Sequence, residues 1–132
     1  MYRIVIITIS LILIAGTGFI MLNIFSSSDK VDINATEFRE KLNKERGVVI
    51  DVRTKGEFDQ GHLSITDFQY DFLSGEFHDK VESLDKSKTY YLYCRSGNRS
   101  GQAARIMQKE GFDHVYNVGG FEDLAKNGFE SE

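Results

Sequence analysis

Proline is missing from all 132 residues, and cysteine occurs once, at position 94. Nothing in the sequence accounts for the lack of proline. The solitary thiol excludes an internal disulfide, so pairing cannot report the redox compartment, and Cys94 reads either as buried filler or as a nucleophile. A basic excess is also lacking: the chain holds 16 Lys and Arg against 20 Asp and Glu. Arg3 is the only charged residue before Asp29, so the remainder carries a net −5. No positive stripe is available for a phosphate backbone, which argues against nucleic acid as a partner, although a local cationic spot can still serve a small anion. His62, His78 and His114 stand without metal-ligand spacing and are expected to be packing or surface residues, with no metal and no organic cofactor implied. Internal repeats and low-complexity tracts are absent as well.

What the sequence does have is a long apolar run. Residues 4–25 carry no charge, and Thr8, Ser10, Thr17 and Asn23 are the only markedly polar members. That length spans a bilayer and exceeds the apolar stretch of a cleavable signal, and no Ala-x-Ala site follows it. Residues 1–25 are therefore expected to form an uncleaved hydrophobic helix, with cleavage near Ala15-Gly16-Thr17 as the alternative. Arg3 precedes the run, whereas Asp29 and Lys30 cancel after it, so the positive-inside bias puts the following domain on the extracytoplasmic side, periplasmic in a bacterium. No cysteine stands directly after the run for lipoprotein acylation.

Residues 26–30 read as a polar tether, and residues 31–132 as one domain. Val31-Asp32-Ile33 alternates as a short strand. Asn34 and Glu37 form a capping box for a helix bearing Phe38 and Leu42, ended by Gly47. The β-branched run Val48-Val49-Ile50-Asp51-Val52 suits a parallel strand covered on both faces. A helical turn over Lys55–Asp59, a loop at Gly61-His62-Leu63 and an alternating strand over residues 68–72 follow. Phe77, Val81 and Leu84 recur at helical spacing. Thr89-Tyr90-Tyr91-Leu92-Tyr93 delivers Cys94 at a strand's carboxyl end, and residues 100–110 form a helix with Ala103, Ile106 and Met107 inward, stopped by Gly111. Val115-Tyr116-Asn117-Val118 is a fifth strand, Gly119-Gly120 a tight turn and Phe121–Lys126 a terminal helix. This alternation predicts an α/β domain with a mostly parallel five-stranded sheet flanked by helices. Ligands of such sheets sit beyond the strands' carboxyl ends, where Cys94 lies.

The segment Cys94-Arg95-Ser96-Gly97-Asn98-Arg99-Ser100 joins that strand to the next helix. Its backbone N–H groups can curl around the sulfur and converge with the helix N-terminus, a geometry that favours an anion. Arg95 and Arg99 add positive charge, and together these groups are expected to lower the thiol pKa. Gly97, Ser96 and Ser100 permit the tight turns of such a cradle. Solvated arginines on an ordinary connecting loop are the bland alternative.

The chain here resembles the single-domain rhodanese family, whose loop Cys-x-x-Gly-x-x-Ser is matched by Cys94, Gly97 and Ser100. Asp51-Val52-Arg53, Glu57-Phe58 and Gly61-His62-Leu63 are similar to the family's upstream blocks, and Val115-Tyr116-Asn117-Val118-Gly119-Gly120-Phe121 to its closing strand and turn. One stretch departs: Ser64-Ile65-Thr66-Asp67-Phe68 stands where Pro-Gly-Ala is common, so this loop is expected to differ in shape. The resemblance implies a sulfurtransferase in which Cys94 takes sulfur from a small anionic donor such as thiosulfate and passes it, through a persulfide, to cyanide or a thiol. It assigns donor binding to the loop, residues Arg95, Ser96, Gly97, Asn98, Arg99 and Ser100. Asp51, Arg53, Glu57 and His62 become structural support. Two rivals remain. A cysteine phosphatase uses Cys-x5-Arg, but the sixth residue after Cys94 is Ser100. A noncatalytic docking module or thiol redox sensor is the other, and no oligomeric state is encoded.

Overall fold

A computed structural model describes residues 30–132. The expected apolar helix, and most of the tether, lie outside the described residues. Among the described residues, no helix is long and apolar enough to cross a membrane.

Asn34 accepts the Glu37 N–H at 2.9 Å while the Glu37 carboxylate accepts the Asn34 N–H at 2.9 Å, and this reciprocal cap starts α1, Ala35–Lys44. The chain then runs through β1 (Val48–Asp51), α2 (Lys55–Asp59), β2 (Phe68–Gln69), α3 (Glu76–Val81), β3 (Thr89–Cys94), α4 (Asn98–Lys109), β4 (His114–Gly120) and α5 (Phe121–Lys126). All strand pairs are parallel, in the order β2-β1-β3-β4. A parallel sheet needs cover on both faces, and the sequence provides it by alternation. Tyr90, Leu92 and Cys94 of β3 face one core with Ile50, Phe77, Ala103, Ala104 and Met107, between the sheet and helices α3 and α4. Tyr91 and Tyr93 face the other, with Val49, Phe38, Val118 and Leu124, under α1 and α5.

The sheet has four strands rather than the expected five. Residues 31–33 make one parallel bridge, Asp32 opposite Asn117, held by Ile33 N–H to Asn117 O at 3.0 Å and Asn117 N–H to Val31 O at 2.8 Å. Asn34 begins the helix cap at once, so the chain turns before a ladder can form. The strand expected over residues 68–72 also stops early, at Gln69. Tyr70 and Phe72 still donate to Asp51 O and Val52 O, but Asp71 Oδ1 accepts the Leu73 and Ser74 N–H groups and bends the chain away.

Smaller shifts have similar causes. Helix α3 ends at Val81, and Leu84 reaches the core through a turn. In α4 the innermost residues are Ala103, Ala104 and Met107, with Ile106 only half-buried. That helix starts at Asn98, two residues before the expected Ser100, because Gly97 takes a left-handed conformation (φ 91°) and its carbonyl accepts the Gly101 N–H at 3.0 Å. The connection between Cys94 and α4 is thus only Arg95-Ser96-Gly97.

Candidate active site

Cys94 ends the fully buried strand β3, and α4 begins directly beyond it. The Gly97 N–H donates to Sγ at 3.1 Å, and Ser100 Oγ lies 3.4 Å from it. Burial pushes the thiol pKa up, but the Ser100 hydroxyl and the N–H groups of Ser100, Ser96 and Gly97 outweigh it and hold the thiol below its ordinary value. The amide cradle read from the sequence is therefore present, and Cys94 is fully buried behind it (0 % exposed). The loop's fit is tight: a Cβ on Gly120 would stand 2.5 Å from the Arg95 carbonyl oxygen, so only glycine allows β4 to approach the loop this closely.

Of the two loop arginines, one is engaged within the protein and the other is exposed. Arg99 forms a fork with Glu57, Nη1 to Oε1 at 2.8 Å and Nη2 to Oε2 at 3.0 Å, which ties the first turn of α4 to α2. This pairing brings the Glu57 carboxyl down to about 2, against its burial, with help from the Thr54 N–H. Arg99 therefore contributes charge near the sulfur while its donors are already engaged. Arg95 is exposed and has no carboxylate partner among the described residues. Of the remaining loop residues, Ser96 contributes through its N–H to the lowered thiol pKa, and Asn98 is exposed, accepting from Gln102 Nε2 at 2.7 Å.

Asp51 and Arg53 make a buried ion pair, with Arg53 Nη2 2.7 Å from Asp51 Oδ2 and Nε 2.9 Å from the same oxygen. Arg53 also donates to Gly61 O at 2.7 Å and lies 4.5 Å from the Phe121 ring centre. Glu57, the third of these support residues, clamps Arg99 at the start of α4. His62 stacks on Phe58 at 3.7 Å and faces Glu132, a packing role. The loop at residues 64–68, where the chain departs from the family pattern, is braced by Tyr93, whose hydroxyl contacts Thr66 Oγ1 at 2.8 Å and accepts the Leu63 N–H.

A cleft of about 420 Å³ opens beyond the strands' carboxyl ends, lined by Arg53, Glu57, Gln60, Gly61, Arg95, Phe121 and Glu122. Gln60, Phe121 and Glu122 carried no functional signal in the sequence. Asn117 was missed too. Its Oδ1 accepts Ser100 Oγ–H at 2.7 Å and the Gly119 N–H at 3.2 Å, and its Nδ2 donates to Asp32 Oδ1 at 2.7 Å and Gly97 O at 3.1 Å. The available signal was a polar residue inside an apolar strand, since a buried amide demands partners.

The rhodanese-like domain model matches residues 34–127, and the chain belongs to that family. It is 30% identical over 94 residues to the putative sulfur carrier protein YrkF of Bacillus subtilis, covering 70% of this chain and 49% of that protein. The match thus spans about half the length of that relative. It is 33% identical over 78 residues to the thiosulfate sulfurtransferase PspE of Escherichia coli, covering 58% of this chain and 72% of PspE. Among solved structures, a rhodanese-like domain protein from Staphylococcus aureus superposes with a TM-score of 0.62 at 26% identity, over 76% of this chain and 97% of that one. A rhodanese with anions from E. coli gives 0.55 at 29% identity, over 64% and 95%.

The Glu57–Arg99 clamp has a definite pH signature. A carboxyl held down at about 2 stabilises the fold fully above its ordinary value of 4.5, and that contribution is lost as pH falls through this window to about 2. Both side chains are partly exposed, so solvent screening leaves on the order of 1–2 kcal/mol. Denaturant titrations of Glu57→Gln between pH 6 and pH 2 are expected to lose that amount at the upper end and show a flatter acid limb. Equal pH dependence in both proteins removes the clamp as its source.

Proposed function

We propose that this domain transfers sulfane sulfur through a persulfide on Cys94. The observation that carries the reading is the hydrogen bonding of the sulfur to the loop, Gly97 N–H to Sγ at 3.1 Å, at the positive end of α4. The thiolate attacks the outer sulfur of the donor. The donor's S–S bond breaks, and its electron pair leaves with sulfite when the donor is thiosulfate. The persulfide's terminal sulfur then carries the negative charge, and the loop amides stabilise it. A thiol or cyanide attacks that terminal sulfur and the Cys94 thiolate returns as the leaving group. The name of PspE supports a thiosulfate-like donor. Arg95, exposed at the cleft and unpaired among the described residues, is the cation placed to hold it, while Arg99 keeps the loop in place.

Cys94 is fully buried beneath this loop. The same burial favours the second reading, a noncatalytic docking module. Mass spectrometry after exposure to thiosulfate separates the two. Transfer predicts an adduct of about 32 Da, one sulfur atom, on Cys94, lost on addition of cyanide and absent in Cys94→Ser. An adduct of about 16 Da indicates a sulfenic acid instead, and no adduct supports docking.

For donor binding, Arg95→Ala is expected to raise KM for thiosulfate roughly tenfold with kcat little changed, because one exposed cation is lost and the amide cradle is kept. An unchanged KM removes Arg95 from that role.

A location for the domain is inferred from the apolar run at residues 4–25 and the charges flanking it, Arg3 before and Asp29 with Lys30 after. We place it outside the cytoplasmic membrane, anchored by that segment, with thiol or cyanide acceptors drawn from that compartment. Protease added to intact cells is expected to digest the domain, and protection until lysis reverses the assignment.

A further inference from the structure

Ser100 has one hydroxyl proton and two neighbours that call for it. Its Oγ is 2.7 Å from Asn117 Oδ1 and 3.4 Å from Cys94 Sγ. The orientation of the Asn117 amide is fixed by its other partners. Asp32 Oδ1 and Gly97 O only accept, so they face Nδ2, and the Gly119 N–H only donates, so it faces Oδ1. Toward Ser100, Asn117 therefore presents an acceptor that takes the hydroxyl proton at the shorter distance. A hydroxyl so engaged keeps its lone pairs, and one of them faces the sulfur. It can accept S–H from a thiol, but it cannot stabilise an anionic sulfur until it rotates and gives up Asn117.

We propose that Asn117 is a positioning residue that sets the charge state of Cys94 through the Ser100 hydroxyl. With a neutral thiol, the proton chain runs from Cys94 S–H to Ser100 Oγ and from Ser100 O–H to Asn117 Oδ1. When the sulfur is anionic, as thiolate or persulfide, the Ser100 proton turns to it, and Asn117 Oδ1 keeps only the Gly119 N–H. Asn117 thus favours the protonated resting thiol and sets a cost on its ionisation. The charged groups around this relay are Asp32 and Arg105 behind Asn117, 3.3 Å apart, Arg99 with Glu57 on the helix side, and Asp51 with Arg53 at the end of β1. Each is ion-paired; Arg95, next to Cys94, is exposed and unpaired among the described residues, and the uncharged hydroxyl is the group that can adjust without moving a charge. The importance of the relay for turnover rests on the proposed sulfur transfer, whereas its existence does not.

The test is a double-mutant cycle on the full chain in detergent, reading the Cys94 pKa from thiolate absorbance with Cys94→Ser as the baseline. No sulfur donor is present, so failure of sulfur transfer and failure of this relay are separate results. Ser100→Ala is expected to raise the pKa. Asn117→Ala is expected to lower it by about half to one unit, roughly three- to tenfold more thiolate at a given pH below it, the worth of one neutral hydrogen bond. In the Ser100→Ala background the Asn117 substitution is expected to have no such effect. A merely structural role, loosening the loop, gives a rise in pKa or equal shifts in both backgrounds, and either overturns the proposal. A second measurement needs no Asn117 variant. Cys94 is the only cysteine, so the infrared S–H band belongs to it alone. At a pH below the thiol pKa the band is expected at a hydrogen-bonded frequency in the unaltered protein and nearer the free value in Ser100→Ala. A free S–H band in the unaltered protein also overturns the proposal.

Discussion

The left-handed turn at Gly97 is the constraint from which the rest of the site follows. It lets the chain leave β3 and enter α4 across only three residues, so the sulfur at the strand's end lies under the first turn of the helix. A longer connection would let the loop amides turn to water, and a side chain at 97 would meet Gly119 at 3.3 Å as well as strain the backbone. Helix α4 then carries Arg99 and Ser100 on its opening turn, so the residue that anchors the loop and the hydroxyl that approaches the sulfur are placed by one piece of backbone. The sheet does the rest: period-two alternation along β3 puts Cys94 on the α4 face and Tyr93 on the other, where its hydroxyl steadies the loop at 63–66.

Charge around the sulfur is arranged in closed pairs. Asp51 neutralises Arg53 in a dry setting, and Glu57 neutralises Arg99 in a half-dry one. Buried pairs of this kind add little net stability, because desolvation consumes most of the attraction, but they fix geometry. In the proposed chemistry, the amides of the loop, which need no counter-charge, supply the local stabilisation of an anionic sulfur. In the proposed transfer, arginine is left to act at the rim, through Arg95.

Much of this was legible in the sequence wherever a local pattern has one physical meaning. Asn34 with Glu37 marked a helix start, the β-branched run at 48–52 marked a doubly covered strand, and a lone cysteine before a glycine-bearing turn marked the site. What escaped depended on partners far along the chain. The bond from Asn117 to Ser100 joins separate elements, and no periodicity announces it. The pairing of Arg99 with Glu57, which is 42 residues away and sits on another helix, is likewise invisible to local pattern. Strand ends were misjudged where short polar side chains capture backbone amides, as Asp71 does, because alternation alone cannot show where the chain leaves the sheet.

The brevity of β2 has a bearing on how copies of this protein meet. An outer strand with a long row of free amide and carbonyl groups is a template on which another chain can zip, and proteins commonly shorten or charge such borders. Here the border is two residues long, flanked by the Arg46–Asp67 ion pair on one side and the Asp71 bend on the other. At the opposite border, the 31–33 segment caps β4 with a single rung. The β2 margin thus offers a second chain a template of only two residues.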